Sequence, residues 1–107
     1  TAGAWMSGTL IDKPFCVFTA SSSLHGGQES TLISMALPFM HHGMVWMGIP
    51  YSEQALSHTR SGGTPYGPTR WTGPQGQEPV SEDERALARA QGIRLAKAAI
   101  ALKAMRP

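Results

Sequence analysis

The chain has 107 residues, 41% of them hydrophobic and 15% charged, with a formal net charge of +2. That length holds one domain at most, and its sparse, scattered charge argues against a nucleic-acid binder, which clusters Lys and Arg among aromatics. A lone cysteine, Cys16, permits no intrachain disulfide and fits the cytoplasm, and no apolar run approaches the roughly 20 residues that a membrane span needs.

In chain order, residues 1 to 13 lack any hydrophobic period and read as a loop, with Gly3, Trp5 and Gly8 in it. Thr1 in place of methionine, with no signal-like segment behind it, points to a processed or cut chain. An aromatic such as Trp5 in a glycine-rich loop is expected to cover something. Pro14 suits the first position of a strand, and residues 15 to 19 form a continuous apolar run, the pattern of a strand buried on both faces. Cys16, inside it, reads as a small buried hydrophobe. Next come Ser21-Ser22-Ser23-Leu24-His25-Gly26-Gly27 and a helix whose stripe is Leu32, Ala36, Phe39 and Met40. A strand, a loop of small residues and then a helix bring loop N–H groups and a positive helix end to one spot, where an anion or the edge of an electron-rich ring is held.

Pro38 is expected to kink or shorten that helix, and His41-His42-Gly43 closes it, with Gly43 as a left-handed cap. Residues 44 to 49 form a second apolar strand with Trp46 in the core, so that strand, helix and strand make a right-handed βαβ unit. Residues 50 to 80 hold much of the Gly and Pro. A structureless stretch this long is unusual in a compact domain, and Tyr51, Tyr66 and Trp71 argue that a ligand or another subunit pins it. Ser81 and Glu84 form a capping box for a helix over 81 to 105 with Leu87, Leu95, Ala98, Leu102 and Met105 on one stripe. Ile93 and Ile100 flank that stripe, and Gly92 is expected to permit close packing. Arg85, Arg89, Arg94, Lys97 and Lys103 are spaced out as a solvated face. Two strands and two helices make about half of a doubly wound α/β domain, so further chain or a second polypeptide is expected to supply the rest.

Taken alone, His42 reads as a partner for the helix end, His41 as structural or solvent-facing, and His58 as a surface residue. His25 either touches a ligand phosphate or merely sits on its loop. A serine hydrolase is excluded: no Gly-x-Ser-x-Gly elbow is present, and no acid is placed to orient a histidine.

Five motifs occur together in order: Ala4-Trp5-Met6-Ser7-Gly8, the loop from Phe18 to Glu29, His41-His42-Gly43-Met44, Gly48-Ile49-Pro50-Tyr51, and Gly62-Gly63-Thr64-Pro65-Tyr66-Gly67. They resemble the C-terminal half of the WrbA family, flavodoxin-like NAD(P)H:quinone oxidoreductases. The resemblance spans essentially the whole chain and implies a three-layer, doubly wound parallel sheet. Residues 1 to 107 would be its C-terminal half, with 50 to 80 a family-specific insertion and 81 to 105 the C-terminal helix. It implies an FMN cofactor at the carboxyl ends of the strands, with Ser21, Ser22, Ser23, Leu24, His25 and Gly26 against the ring. His42 would reach the ring's pyrimidine end and act as the catalytic residue, while Trp5 and Tyr51 would line the pocket for nicotinamide and quinone. No metal is implied. The implied partners are NAD(P)H, a quinone, a missing N-terminal half or companion chain carrying the phosphate loop, and a homotetramer in which the Gly62–Gly67 loop takes part. The chain departs from the family pattern at Leu24-His25, where the loop is about one residue longer. The alternatives are a flavodoxin-type one-electron carrier, or a fragment that keeps the fold without catalysis.

Overall fold

A computed structural model describes residues 1 to 106. The expected N-terminal loop is partly helical. Helix α1 spans Ala2–Ser7 and ends at Gly8, whose φ of 70° gives the left-handed turn that stops it. Two alanines and no proline leave this segment free to wind, a local tendency that the search for an apolar period does not register.

The expected continuous strand over 15 to 19 is interrupted. Strand β1 is Pro14–Phe15 and strand β2 is Thr19–Ser21. Helix α2, Gln28–His41, crosses from β2 to strand β3, Val45–Trp46, which is shorter than the six residues expected. β1 pairs with β3 in parallel, Pro14 opposite Val45 and Phe15 opposite Trp46. β2 pairs in parallel with a strand absent from the sequence reading, β4, Thr69–Trp71. The carbonyls of Lys13, Phe15 and Ser21 accept from the N–H groups of Val45, Met47 and Thr72, at 3.0, 2.9 and 2.9 Å. Alternate carbonyls of an extended chain point to the same side, so β3 and β4 follow one another along one edge of residues 14 to 21. The ladder breaks between them because the partner chain leaves after Met47 and returns only near Gly67. There the missing Cβ lets the backbone lie against the Val17 carbonyl. Along the opposite edge no strand is paired among the described residues.

The sheet lies between two helices. Phe15 and Val17 face α2 and bury with Leu32 and Ala36, with Met44 and Trp46 packed against them. Phe39 and Met40, expected on the same stripe, lie at its rim, 39% and 49% exposed. Pro38 does not shorten α2, which continues to His41, and Gly43 follows with a φ of 81°. Cys16 is only half-buried, and burial still raises its thiol pKa, so it is a poor nucleophile.

Residues 50 to 80 are not structureless. They contain a short helix α3, Ala55–His58, as well as β4, and contacts within this chain hold parts of them. The Pro65 carbonyl accepts from Ile49 N–H at 2.9 Å, and Tyr66 packs on Trp46 with ring centroids 6.5 Å apart. Helix α4, Glu82–Leu102, starts with the expected capping box of Ser81 and Glu84, and a 3-10 turn over Lys103–Met105 extends it. Leu87 is fully buried, whereas Ile93, Ile100 and Met105 are exposed and nothing packs near Gly92. Cys16 and Phe18 share a cavity of about 330 Å³ with Ala88, Gln91 and Gly92 of α4. Phe18 is 71% exposed, and the radius of gyration is 15.1 Å against about 13 Å for a compact domain of this size. The molecule is an open slab: parallel strands between α2 and α4, with one bare edge.

Candidate functional site at the two ends of helix α2

The loop from Ser22 to Gly27 leaves the carboxyl end of β2 and is exposed throughout. It leads into α2 through Gly27 (φ 77°), and no side chain caps that helix. The N–H groups of its first turn therefore remain free for a ligand. Ser21 differs from its neighbours: its hydroxyl donates to the Ser23 carbonyl at 2.7 Å and accepts from the Gln28 amide at 2.7 Å. That hydroxyl is committed inside the loop, so Ser21 shapes the loop, while Ser22 to His25 present its surface. Gly26 completes the turn with its N–H on the Ser23 carbonyl at 3.3 Å, and a Cβ there would strike the Ser23 hydroxyl. Between this loop and the insertion opens a cavity of about 500 Å³, lined by His25, Gln28, Thr59, Arg60 and Thr64. Arg60 brings a cation to this mouth that the sequence reading did not single out. Tyr51 follows β3 and is 64% exposed.

Behind the loop sits Glu84, only 3% exposed. One carboxylate oxygen accepts from the N–H groups of Gly62 and Trp71, both at 2.7 Å, and the other from Ser81 N–H at 2.8 Å. Burial alone would push this carboxyl's pKa up. The N–H bonds from Ser81, Trp71 and Gly62, with the Ser81 hydroxyl, outweigh burial and hold it below the ordinary value of 4.5. One side chain thus ties the start of α4 to the insertion and to β4, which braces β2. The capping box was legible in the sequence. That its glutamate reaches Gly62 and Trp71 was not, because those partners are brought in by the tertiary fold.

At the other end of α2, Trp5 stacks on His41 with ring centroids 5.6 Å apart and an interplanar angle of 17°. His42 is half-buried, and its Nδ1 is enclosed without a partner. The Asp12 N–H donates to the Gly43 carbonyl at 2.9 Å, which places Trp5, His41 and His42 at the amino ends of the strands. α2 has 14 residues, a rise of about 21 Å at 1.5 Å per residue. Within one subunit the fold therefore separates His42 and Trp5 from the Ser22–Gly27 loop by more than a flavin ring can bridge. His58, expected at the surface, is exposed and lies 3.3 Å from Asp83.

No family model matches the chain. A curated protein of Chromohalobacter salexigens named NAD(P)H dehydrogenase (quinone) is 46% identical over 104 residues, 95% of this chain and 52% of that protein. One of the same name from Trichlorobacter lovleyi is 44% identical over 99 residues, 91% of this chain and 48% of that protein. A third, from Geotalea uraniireducens, is 43% identical over 104 residues, 95% of this chain and 51% of that protein. The chain belongs to this WrbA-like quinone dehydrogenase family. It spans about half the length of the curated relatives it matches.

The parallel α/β slab accords with part of the family's flavodoxin-like sheet. The donor set also suits the flavin that the resemblance implies. An exposed loop of small residues and an uncapped helix start offer N–H groups to an electron-rich ring edge, and the orphaned His42 Nδ1 is a buried group in want of a partner. Among the described residues no helix is long and apolar enough to cross a membrane.

Proposed function

We propose that the complete protein reduces quinones with NAD(P)H by two-electron transfer through FMN. Bound FMN supplies the hydride acceptor and donor that couples the two substrates. The residues of this chain orient, enclose and donate. Ser22, Ser23, Leu24 and His25 offer backbone N–H groups to the ring edge, Gly26 closes the turn that presents them, and Tyr51 flanks the site. The observation that carries this reading is the uncapped start of α2 beneath an exposed Ser/Gly loop at the carboxyl edge of a parallel sheet. It occurs in a chain at least 43% identical to proteins named for this activity.

Two features of the slab shape the rest of the proposal. The free edge of residues 14 to 21, with exposed Phe18 beside it, suits the remaining half of the domain, which brings the phosphate site. Because α2 holds His42 and Trp5 about 21 Å from its own loop, these two residues serve the ring of a neighbouring subunit, in a homotetramer. There His42 donates to the acceptor edge and Trp5 gives nicotinamide and quinone an aromatic face.

The test is flavin binding and NAD(P)H consumption with a small quinone by the complete protein. A colourless protein that neither takes up FMN nor oxidises NAD(P)H would overturn the proposal. For the shared site, Gly26→Val and His42→Ala variants are mixed under conditions that exchange subunits. Recovery of activity in the mixture is expected, since some sites then pair an intact loop with an intact His42. In the His42→Ala protein alone, a lost hydrogen bond to a charged group, worth about 1.5–3 kcal/mol, lowers the flavin midpoint by a few tens of millivolts, at about 30 mV per 1.4 kcal/mol. No recovery on mixing, or an unchanged midpoint with full turnover, would remove His42 from the site.

A further inference from the structure

We propose that Gln28 is a positioning residue that aims a backbone donor of the Ser/Gly loop at the flavin. The inference rests on the flavin reading above and adds a residue to it. Gln28 is the first residue of α2, where a side chain ordinarily points to solvent, yet it is 8% exposed. Its amide nitrogen donates to Ser21 Oγ at 2.7 Å and to the Arg70 carbonyl at 3.2 Å. One NH₂ group therefore joins the start of the loop, its end and the returning strand β4.

The direction of these bonds matters. Because Ser21 Oγ accepts from Gln28, its own proton is turned toward the Ser23 carbonyl, which it reaches at 2.7 Å. The same carbonyl takes Gly26 N–H at 3.3 Å and is held facing into the loop. In a trans peptide the carbonyl and the next N–H point in opposite directions. Fixing the Ser23 carbonyl inward thus turns the Leu24 N–H outward, and that group has no backbone acceptor among the described residues. An isoalloxazine edge carries ring nitrogen and carbonyl acceptors, and an N–H already aimed at them binds without first reordering a loop of small residues. Gln28 touches no flavin atom in this scheme; it acts through Ser21 and the Ser23–Leu24 peptide.

The test is FMN affinity in the complete protein, reconstituted from its flavin-free form and followed by flavin fluorescence. Gln28→Met keeps the length and removes the amide, and Ser21→Ala removes the relay. Each should raise the FMN dissociation constant about tenfold, and the double variant by little more than either single one, because both break the same chain. Amide exchange at Leu24 should quicken in the flavin-free variants. Leu32→Ala, which loosens the core one turn along α2 and leaves the Gln28–Ser21–Ser23 bonds intact, is the control: it should lower the melting temperature and leave FMN affinity near wild type. If Gln28→Met does not fold, Ser21→Ala carries the test, since it leaves the helix start intact. Unchanged affinity in the variants, additive losses in the double variant, or an equal loss in Leu32→Ala would overturn the proposal. A wild-type protein that binds no FMN would overturn the flavin reading itself, an outcome distinct from these.

Discussion

The two ends of helix α2 are built differently. At its start, the loop and insertion are tied by polar groups that satisfy one another: Gln28 to Ser21 and Arg70, and Glu84 to Gly62, Trp71 and Ser81. At its finish, Trp5 is 53% exposed with His41 stacked on it, and His42 carries an enclosed ring nitrogen with no partner. The bracing of the first end is complete within this chain, with only the N–H groups of the loop and of the uncapped helix start left open. The second has polar and aromatic groups still in want of contacts, as an interface does before its partner arrives. The difference teaches that a motif's position along the sequence does not tell which of its residues meet in one subunit.

The sharpest way to break the finished end is Glu84→Ala. It strands three backbone donors in a buried site, each worth about 1–3 kcal/mol, so a loss of about 3 kcal/mol or more is expected in urea unfolding of the complete protein. A change under 1 kcal/mol would show that water already serves those N–H groups. Acid probes the same carboxylate without mutation. Its folded pKa lies below its unfolded one, so its stabilisation is complete above the unfolded value of 4.5 and fades as pH falls through the lowered folded value. Unfolding midpoints from pH 7 to 3 should decline more steeply in wild type than in Glu84→Gln.

A smaller effect is expected where β4 rejoins the sheet. Gly67→Ala puts a Cβ against the Val17 carbonyl, and overpacking of this kind costs about 1–3 kcal/mol. Calorimetry should show a lower melting temperature. An unchanged one would mean that the insertion's return path is loose. At the unfinished end, Trp5→Ala should cost the subunit little, about 1 kcal/mol or less for one exposed aromatic stack. It should instead weaken tetramer formation and quinone turnover, read by sedimentation and by KM. A large stability loss with assembly intact would reverse the contrast between the two ends. Least is expected of His58→Ala, since its pair with Asp83 is at the surface and exposed pairs contribute about 0–1 kcal/mol, often nothing measurable; the unfolding midpoint should barely move.

Much of this molecule can be read from its residues in order. Helix α2, helix α4 with its capping box and the Gly43 turn follow from hydrophobic period, cap chemistry and the freedom of glycine, all of which act within a few residues. The anion-suited loop is legible for the same reason, since small residues between a strand and a helix start leave N–H groups open whatever lies around them. Trp5, His42 and the Ser21–Gly26 loop are also recognisable as motifs. The pairing of β2 with β4 across 50 residues depends on where the insertion returns, which no local pattern encodes. Nor does any local pattern show that Glu84 and Gln28 reach into that insertion, or that Ser21 spends its hydroxyl inside the loop. The separation of His42 from the loop is likewise a matter of three dimensions: both motifs flank one helix, and a helix of 14 residues carries its two ends far apart. Sequence set the local elements because caps, turns and periodicity are short-range. The tertiary structure alone decided which groups share a site, because buried donors and acceptors must find partners wherever the folded chain brings them.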